Sequence, residues 1–426
     1  MKKQTKRPWL VIAAILFAIL FGSWADQDKG IFGVSYYSIV DIFGELFLKA
    51  LTLIVVPLVS SSIITGIARI GNEKSFGRIG GKMFFFYFIT TLSAVLVGLF
   101  FVNLLQPGAA HIAPPISADQ EAQLIKLGQQ ANAGGLGALA KVLTQIIPSN
   151  IVLAFSSGQM LGLIFFSLLF GYALSKIDSG PGSILQGFWQ GVFQTMLQIT
   201  HLVMKFLPFG VFCLVSKVFA TTGMESLRSL GMFTLTVLLG LASFMFIVLP
   251  LMLKFIGNVN PWRHFRAMSP ALITAFSTSS TSATLPVTID CVEKRAGVSN
   301  RICGLVIPLG TSVNMAGSAL YECVAAMFVA QVYGIDLSFG TQFLVVVSAL
   351  IASVGVAGIP SGSLVAVIVV MGIIGLPAEG IGLFIAIDRL IDMCRTTINV
   401  FSDTCCAVMV ARFEGESVLT REPEPL

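Results

Sequence analysis

The chain has 426 residues, of which 55% are hydrophobic and only 11% are charged. Soluble domains carry about 25% charged residues, so the composition excludes an ordinary soluble protein. The formal net charge of +5 does not indicate nucleic-acid binding, because the Lys and Arg residues lie in short loops beside apolar segments. The seven cysteines include no CxxC pair, which favours small buried hydrophobic residues over metal ligands or disulfides.

Long apolar segments follow one another through the first 255 residues. A helix needs about 20 apolar residues to span a bilayer, and lipid permits only helices or closed barrels. We therefore predict an all-α membrane protein. Six spans are predicted in this region, at 9–24, 44–68, 83–105, 151–177, 185–221 and 229–255. We expect the long fifth span to be tilted or bent near Pro208. The N-terminus also fits a cleaved signal peptide, but a retained span is favoured because a multispan protein needs no cleavage for insertion.

Basic residues indicate the side of the membrane on which each loop lies. Segments 1–7, 68–82, 261–266 and 293–301 are rich in Lys and Arg, so the positive-inside rule places them in the cytoplasm. The segment 106–150 contains only two basic residues and predicts an external loop. We expect a multi-pass protein of a bacterial inner membrane with both termini in the cytoplasm.

Two polar stretches interrupt the apolar pattern after residue 261. The first is STSSTSATLP (Ser277–Pro286) and the second is GVAGIPSGS (Gly355–Ser363). Two half-length helices joined by an unwound tip fit each one, near 267–289 and 340–375, and each such hairpin precedes a full span, 302–332 and 376–411. Paired interruptions of this kind indicate a transporter binding site, because irregular backbone at membrane depth survives only against protein or a water-filled cavity. The alternative is helix packing through small residues.

One face of the last span is polar. With 3.6 residues per turn, five side chains fall within roughly 80° of one another. They are Asp388, Asp392, Arg395, Asn399 and Asp403. Ionisable residues at membrane depth usually face a cavity or a partner, so the stripe is a candidate functional site. The alternative is a structural stripe in which Asp392 neutralises Arg395.

The residue types on this stripe favour an acidic amino acid as ligand. Arg395 offers a planar fork suited to a carboxylate, and Asp392, one turn away, suits a primary ammonium. The ligand's α-carboxylate would take backbone N–H and hydroxyl donors at the Ser/Thr tip, which leaves Arg395 for a second carboxylate. Asp403 and Asn399 offer oxygens for a hard cation such as Na⁺. Glu322, in an apolar helix, fits either a proton carrier or a hydrogen-bonded structural residue.

Four motifs in order resemble the dicarboxylate/amino acid:cation symporter family, which includes the glutamate transporters. They are SSTSATLP, PLGTSVNMAGSALYE, ASVGVAGIPSGS and DMCRTTINVFSD. The resemblance implies eight transmembrane helices, two re-entrant hairpins, inverted repeats, an elevator fold and a homotrimer. It implies a scaffold of 1–68 and 151–221 with the external loop 106–150, a transport domain of 83–105 and 229–411, and a cytoplasmic tail of 412–426.

The resemblance also implies the roles of individual residues. The substrate would be bound by Ser280, Ser318, Val354, Gly358, Asp392, Arg395, Thr396 and Asn399. A first sodium site would use Gly310, Asn314, Asn399 and Asp403. A second would use Ser312, Ser353, Val354 and Val356, mostly through carbonyls. Part of a third would use Tyr87, Thr90, Thr91 and Asn314.

Two departures from the family pattern concern coupling and substrate binding. Ala316 stands where the family has an aspartate that ligates the third sodium, and neither Ser279 nor Met393 supplies the additional arginine that members carry. Glu322 matches members in which this position handles a proton. We therefore expect fewer sodium ions and a contribution from protons.

These observations predict a symporter that imports glutamate or aspartate coupled to Na⁺ and/or H⁺. We expect no cofactor, no nucleic-acid partner and no enzyme activity. Alternatives are a C4-dicarboxylate or neutral amino acid symporter of the same family, or an anion channel. An intramembrane aspartyl enzyme that uses Asp388 and Asp392 is disfavoured, because these residues lie one helical turn apart beside Arg395.

Overall fold

The computed structural model describes residues 14, 17–18, 20–22, 30–31, 34–71, 76–109, 147–157, 159–222, 225–355 and 362–419. Most of the predicted first span, of the predicted external loop and of the extreme C-terminus lies outside these residues. The described chain is helical apart from one antiparallel pair of two-residue strands, β1 (Gly30–Ile31) and β2 (Val34–Ser35). The predicted all-α class is therefore confirmed.

The α-helices are numbered in chain order. They are α1 (Tyr36–Gly71), α2 (Phe76–Leu105), α3 (Ile151–Ser156), α4 (Met160–Leu174), α5 (Ser179–Val203), α6 (Leu207–Thr222), α7 (Glu225–Ser243), α8 (Leu249–Phe255), α9 (Pro261–Thr278), α10 (Thr281–Asp290), α11 (Asn300–Val313), α12 (Ala316–Val332), α13 (Phe339–Gly355), α14 (Gly362–Ile374) and α15 (Ile385–Phe413). Short π-helical turns (Phe244–Val248, Cys291–Arg295) and 3₁₀ turns (Met204–Phe206, Ala378–Leu383) join some of them.

The helices pack in two groups. Helix α1 packs against α4, α5 and α6, whereas α15 packs against α2, α7, α9, α11 and α12. Within the described residues, four helical segments are long and apolar enough to cross a membrane, or five if the bent pair α5–α6 counts as one span. The predicted total of eight spans remains a prediction.

The fourth predicted span is not one helix. Residues 151–177 contain α3 and α4, separated at Ser157–Gln159. The Ser157 hydroxyl donates to the Leu153 carbonyl at 2.6 Å, and the Gln159 N–H bonds to Ala154 rather than to the residue four positions earlier. Side-chain competition of this kind ends a helix even in apolar surroundings.

The fifth predicted span is bent, as expected. Helices α5 and α6 meet at 59° across the 3₁₀ turn Met204–Phe206. Pro208 follows in the first turn of α6. Proline has no backbone N–H and its ring clashes with the preceding turn, so a straight helix cannot continue through this position.

The first predicted hairpin consists of α9 and α10. Its tip is Ser279, with φ 49° and ψ 36°, followed by Ser280 in an extended conformation. The π-helical turn after α10 returns beside α9, so the chain reverses direction. In the second hairpin, α13 and α14 pack against each other, and the tip residues 356–361 lie outside the described part of the chain.

The full span that we predicted over 302–332 contains a break in its helix. The segment Asn300–Val332 is long and apolar enough to cross a membrane as one span. Its helix is broken at Asn314 and Met315, whose ψ values are 67° and 58°. The break leaves the N-terminus of α12 inside the membrane segment. Its backbone donors are satisfied by α15, as described below.

Candidate functional site

Arg395 is the centre of a buried ionic cluster on α15. It has no exposed surface, and Asp388 and Asp392 are 2% and 4% exposed. One guanidinium nitrogen, Nη2, lies 2.9 Å from Asp392 Oδ1 and 3.1 Å from Asp388 Oδ1. Arg389 Nη1 lies 3.5 Å from Asp392 Oδ2. Two cations therefore face two anions, which compensates their removal from water.

The guanidinium of Arg395 retains unused donors. Its Nε and Nη1 are buried and have no hydrogen-bond partner among the described residues. The ring of Tyr321 lies 4.0 Å from the guanidinium carbon, a cation–π contact that fixes the plane of the fork. Buried polar donors are normally paired, so this orientation is suited to a planar acceptor such as a carboxylate.

Asn399 holds the N-terminus of α12. Its Oδ1 accepts the Gly317 N–H at 2.8 Å and the Ser318 N–H at 3.3 Å, and its Nδ2 donates to Ser318 Oγ at 3.1 Å. A Cβ on Gly317 would lie 2.9 Å from the Arg395 carbonyl oxygen, so glycine permits this close approach. The structure thus brings together three predicted substrate residues: Ser318, Asn399 and Arg395.

Asn314 connects α2, the broken span and α15. Its Oδ1 accepts the hydroxyls of Thr90 at 3.0 Å and Thr91 at 3.1 Å. Its Nδ2 donates to Asp403 Oδ1 at 2.9 Å and to Ser402 Oγ at 3.2 Å. The predicted first and third cation sites therefore share one amide.

Gly310 completes this group of oxygens. A Cβ there would lie 2.5 Å from Asp403 Oδ1, so only glycine lets the carboxylate approach the α11 backbone. Tyr87, on α2, donates its hydroxyl to the Val306 carbonyl. Carboxylate, amide, hydroxyl and carbonyl oxygens are suited to a hard cation.

The residues predicted for the second sodium site are less completely described. Ser312 is exposed near the end of α11 and Ser353 is buried in α13, and these two helices pack against each other. The Ser353 hydroxyl donates to the Leu350 carbonyl at 2.9 Å. Val354 is in the last turn of α13. Val356, and Gly358 of the predicted substrate site, lie outside the described residues.

The remaining predicted substrate residues lie near the hairpin tip and on α15. Ser280 precedes α10, where its hydroxyl accepts the Ala283 N–H at 3.2 Å. Thr396 follows Arg395 and is 5% exposed. The helix start at Ser280 gives the oriented N–H groups that favour an anion.

Glu322 is fully buried in α12. Neither carboxyl oxygen has a hydrogen-bond partner among the described residues. An ionised carboxylate in such surroundings is strongly disfavoured, whereas a neutral acid is tolerated. The hydrogen-bonded structural alternative therefore finds no support in the described part of the chain.

Sequence reasoning did not assign roles to two residues of the ionic cluster. Asp388 lies two turns before Arg395 on the same face, a spacing that could have identified it as an arginine partner. Tyr321 adjoins Glu322 in sequence, but only the packing of α12 on α15 shows that its ring covers Arg395. Arg389 contacts Asp392, a pairing that the sequence analysis did not predict.

The amino-acid sequence matches that of a known transporter family. A model of the sodium:dicarboxylate symporter family matches residues 8–413. The chain belongs to this family. The resemblance inferred from the four motifs is thereby confirmed.

Relatives within the sodium:dicarboxylate symporter family cover nearly the whole chain. The proton/glutamate-aspartate symporter of Escherichia coli (strain K12) is 32% identical over 406 residues, which are 95% of this chain and 92% of the relative. The proton/sodium-glutamate symport protein of Bacillus caldotenax is 35% identical over 96% of this chain and 94% of its own length. Excitatory amino acid transporter 3 of Mus musculus is 33% identical over 94% and 85%.

Proposed function

We propose that this protein is a secondary symporter that imports glutamate or aspartate together with Na⁺, H⁺ or both. The observation that carries the proposal is the buried Arg395 fork, held by Asp388 and Asp392 with Nε and Nη1 unpartnered among the described residues. The names of the relatives support the substrate class and both ions. The ionic cluster is already neutral, so a ligand with one excess negative charge requires an accompanying cation.

The two proposed cation sites differ in charge, because one contains a carboxylate and the other contains only neutral oxygens. Asp403 supplies the negative charge for a sodium ion among Gly310, Asn314 and the Asn399 backbone. Ala316, which is fully buried, leaves the position near Thr90 and Thr91 with neutral oxygens only. Glu322 carries a proton in place of the missing sodium.

In this proposal, one group of helices moves with the substrate and the other stays fixed. The group around α1 and α4–α6 forms the scaffold and trimer contacts, and the group around α2 and α7–α15 carries the substrate. The two hairpins approach the site from opposite sides of an inner membrane, and both termini are cytoplasmic. The protein needs no cofactor.

A C4-dicarboxylate is the second candidate substrate. Asp392 is within 2.9 Å of Arg395 and 3.5 Å of Arg389, so its charge is already balanced without a substrate ammonium. A dicarboxylate would use the Arg395 fork in the same way and leave Asp392 as a partner of the arginines.

Uptake into liposomes tests the proposal. Purified protein is reconstituted, and labelled aspartate uptake is measured under separately imposed sodium and pH gradients. Saturable uptake driven by either gradient is expected. Uptake that neither gradient accelerates would contradict symport and favour a channel.

Two variants test whether a proton on Glu322 replaces one of the sodium ions. Ala316→Asp should raise the sodium dependence, and Glu322→Gln should abolish the response to the pH gradient. Glu379→Gln, which removes a carboxylate outside the site, is the control and should keep that response. Wild-type uptake that ignores the pH gradient, with three sodium ions counted per substrate, would exclude the proton role.

A further inference from the structure

A cleft of about 810 Å³ lies beside the end of α8 and the start of α9, away from the ionic cluster on α15. Phe246, Trp262 and Phe265 form an aromatic wall, and Lys254 and Asn258 line the polar end. Ligand pockets usually have volumes of about 300–1,000 Å³. We propose that this cleft binds one anionic phospholipid, with an acyl chain on the aromatic wall and the phosphate at Lys254.

The charge of this region favours an anion. No Asp or Glu occurs between Glu225 and Asp290, whereas Lys254 lines the cleft and Arg263 and Arg266 lie in the first two turns of α9. All three side chains are exposed, and none is within ion-pair distance of a carboxylate in the part of the chain that the structure describes. Lys254 Nζ lies over the ring of Phe255, 5.7 Å from its centre. Unpaired cations of this kind attract the anionic lipids of a cytoplasmic leaflet.

The depth of the cleft matches the boundary between headgroups and acyl chains. The positive-inside rule places the loop between α8 and α9 in the cytoplasm. Trp262, which is 73% exposed, begins α9 at the position where tryptophan concentrates in membrane proteins. Large exposed apolar side chains continue from there along α8 and the π-helical turn before it, among them Leu251 and Phe246. An acyl chain on this face would therefore remain in the hydrocarbon while its phosphate meets Lys254.

The walls are held in place by contacts that do not involve a ligand. Phe265 stacks on Phe401 of α15 at 4.2 Å and on Phe246 at 5.8 Å between ring centres. Arg412 Nε donates to the Gly257 carbonyl at 3.2 Å, and Asn260 accepts the Trp262 N–H at 3.0 Å to cap α9. Because these walls are already ordered, little conformational freedom is lost when a lipid binds. This favours one saturable lipid site over nonspecific association of lipid with the surface.

Native mass spectrometry of the full-length protein in detergent tests this site without any transport substrate. The probes are phosphatidylglycerol and phosphatidylcholine with identical acyl chains, so that only the headgroup differs. We expect one saturable phosphatidylglycerol per chain, and weaker binding of phosphatidylcholine. Inorganic phosphate at millimolar concentration should not displace the lipid; displacement would mean that the site selects a free anion.

Variants locate the binding. Lys254→Gln should weaken phosphatidylglycerol about fivefold, the effect of one cation near a membrane surface, and Lys254→Arg should restore it. Trp262→Ala should weaken both lipids, because it removes the wall. Arg301→Gln, an exposed cation that is also predicted to be cytoplasmic, is the matched control and should bind as the wild type does. Equal affinity of wild type and Lys254→Gln for phosphatidylglycerol, or equal affinity of wild type for both lipids, would overturn the proposal.

Discussion

Arg395 is the residue on which the proposed preference for an acidic ligand depends. It is a cation without exposed surface, positioned by two carboxylates and one aromatic ring. In the proposed function, the remaining donors bind a second carboxylate on the substrate. Separate variants therefore test how the side-chain carboxylate and the ammonium group of the ligand are bound.

We expect Arg395→Cys to lose aspartate and glutamate uptake and to keep or gain uptake of serine or alanine. Removal of the guanidinium leaves a roomier and less cationic pocket, which no longer stabilises a side-chain carboxylate. Uptake of the four labelled amino acids in liposomes measures the change. Arg389→Gln is the control for loss of a nearby charge. Unchanged aspartate affinity in Arg395→Cys would contradict the role of Arg395.

Asp392→Asn distinguishes an amino acid from a dicarboxylate as the substrate. If Asp392 binds the ammonium, aspartate binding should weaken by about 2–5 kcal/mol, because one partner of a buried charge pair is lost. Succinate, which has no ammonium, should be affected less. Competition by both ligands against labelled aspartate measures the difference.

Asp388→Asn is the matched comparison for this experiment. Asp388 also contacts Arg395, at 3.1 Å, but is not assigned to the ammonium. Its loss should therefore affect both ligands alike through the position of Arg395. Equal losses for aspartate and succinate in Asp392→Asn would mean that Asp392 is only an arginine partner.

At the scale of the element, the broken span α11–α12 holds the site together. The break exposes backbone donors at membrane depth, where water cannot satisfy them. Asn399 accepts two of these donors and Asn314 joins the other side of the break to Asp403. The polar stripe on α15 is therefore a structural cap for α12 as well as a candidate site.

Asn399→Ala should destabilise the protein in the absence of substrate. It leaves the Gly317 and Ser318 N–H groups buried without an acceptor, at about 1–3 kcal/mol for each donor. Thermal unfolding in detergent measures the loss. Thr397→Ala, which removes a hydroxyl bonded to the Met393 carbonyl within the same helix, should have a much smaller effect. Equal melting temperatures for Asn399→Ala and wild type would exclude the cap.

Across the whole molecule, the start of the predicted tail joins elements that are far apart in sequence. Glu414 lies 2.6 Å from both Arg78 and Lys82 on α2. Beyond it, the Leu419 N–H donates to the Ala296 carbonyl at 2.8 Å. The Ser299 N–H donates to Glu416 at 2.9 Å. The described part of the tail is thus docked on α2 and on the segment between α10 and α11 rather than extended from them.

Ionisation of Glu414 makes the stability contributed by the docked tail depend on pH. The cations Arg78 and Lys82, through their hydrogen bonds, lower the pKa of Glu414 from 4.5 to about 2. Because the folded pKa is depressed, its stabilisation is fully present above the unfolded pKa and is lost as the pH falls towards about 2. The melting-temperature difference between wild type and Glu414→Gln should be constant from pH 7 to 5 and shrink below about 4.5.

A surface ion pair supplies the control for the pH series. Glu45 and Lys49 pair one turn apart with both side chains more than half exposed, and such pairs contribute little. Glu45→Gln should therefore change the melting temperature less at every pH. A Glu414→Gln difference that is the same at pH 7 and pH 3 would exclude ionisation of Glu414 as the cause.

The sequence by itself determined the membrane class, the two interrupted hairpins and the polar face of α15. These follow from local rules, since apolar length, hydroxyl-rich interruptions and helical periodicity do not depend on distant partners. Only the tertiary structure decided that the span after the first hairpin breaks at Asn314, that Asp388 and Tyr321 hold Arg395, and that the tail docks on α2. Each of these depends on a contact between elements far apart in sequence, where a distant side chain supplies the hydrogen bond or charge that local pattern cannot specify.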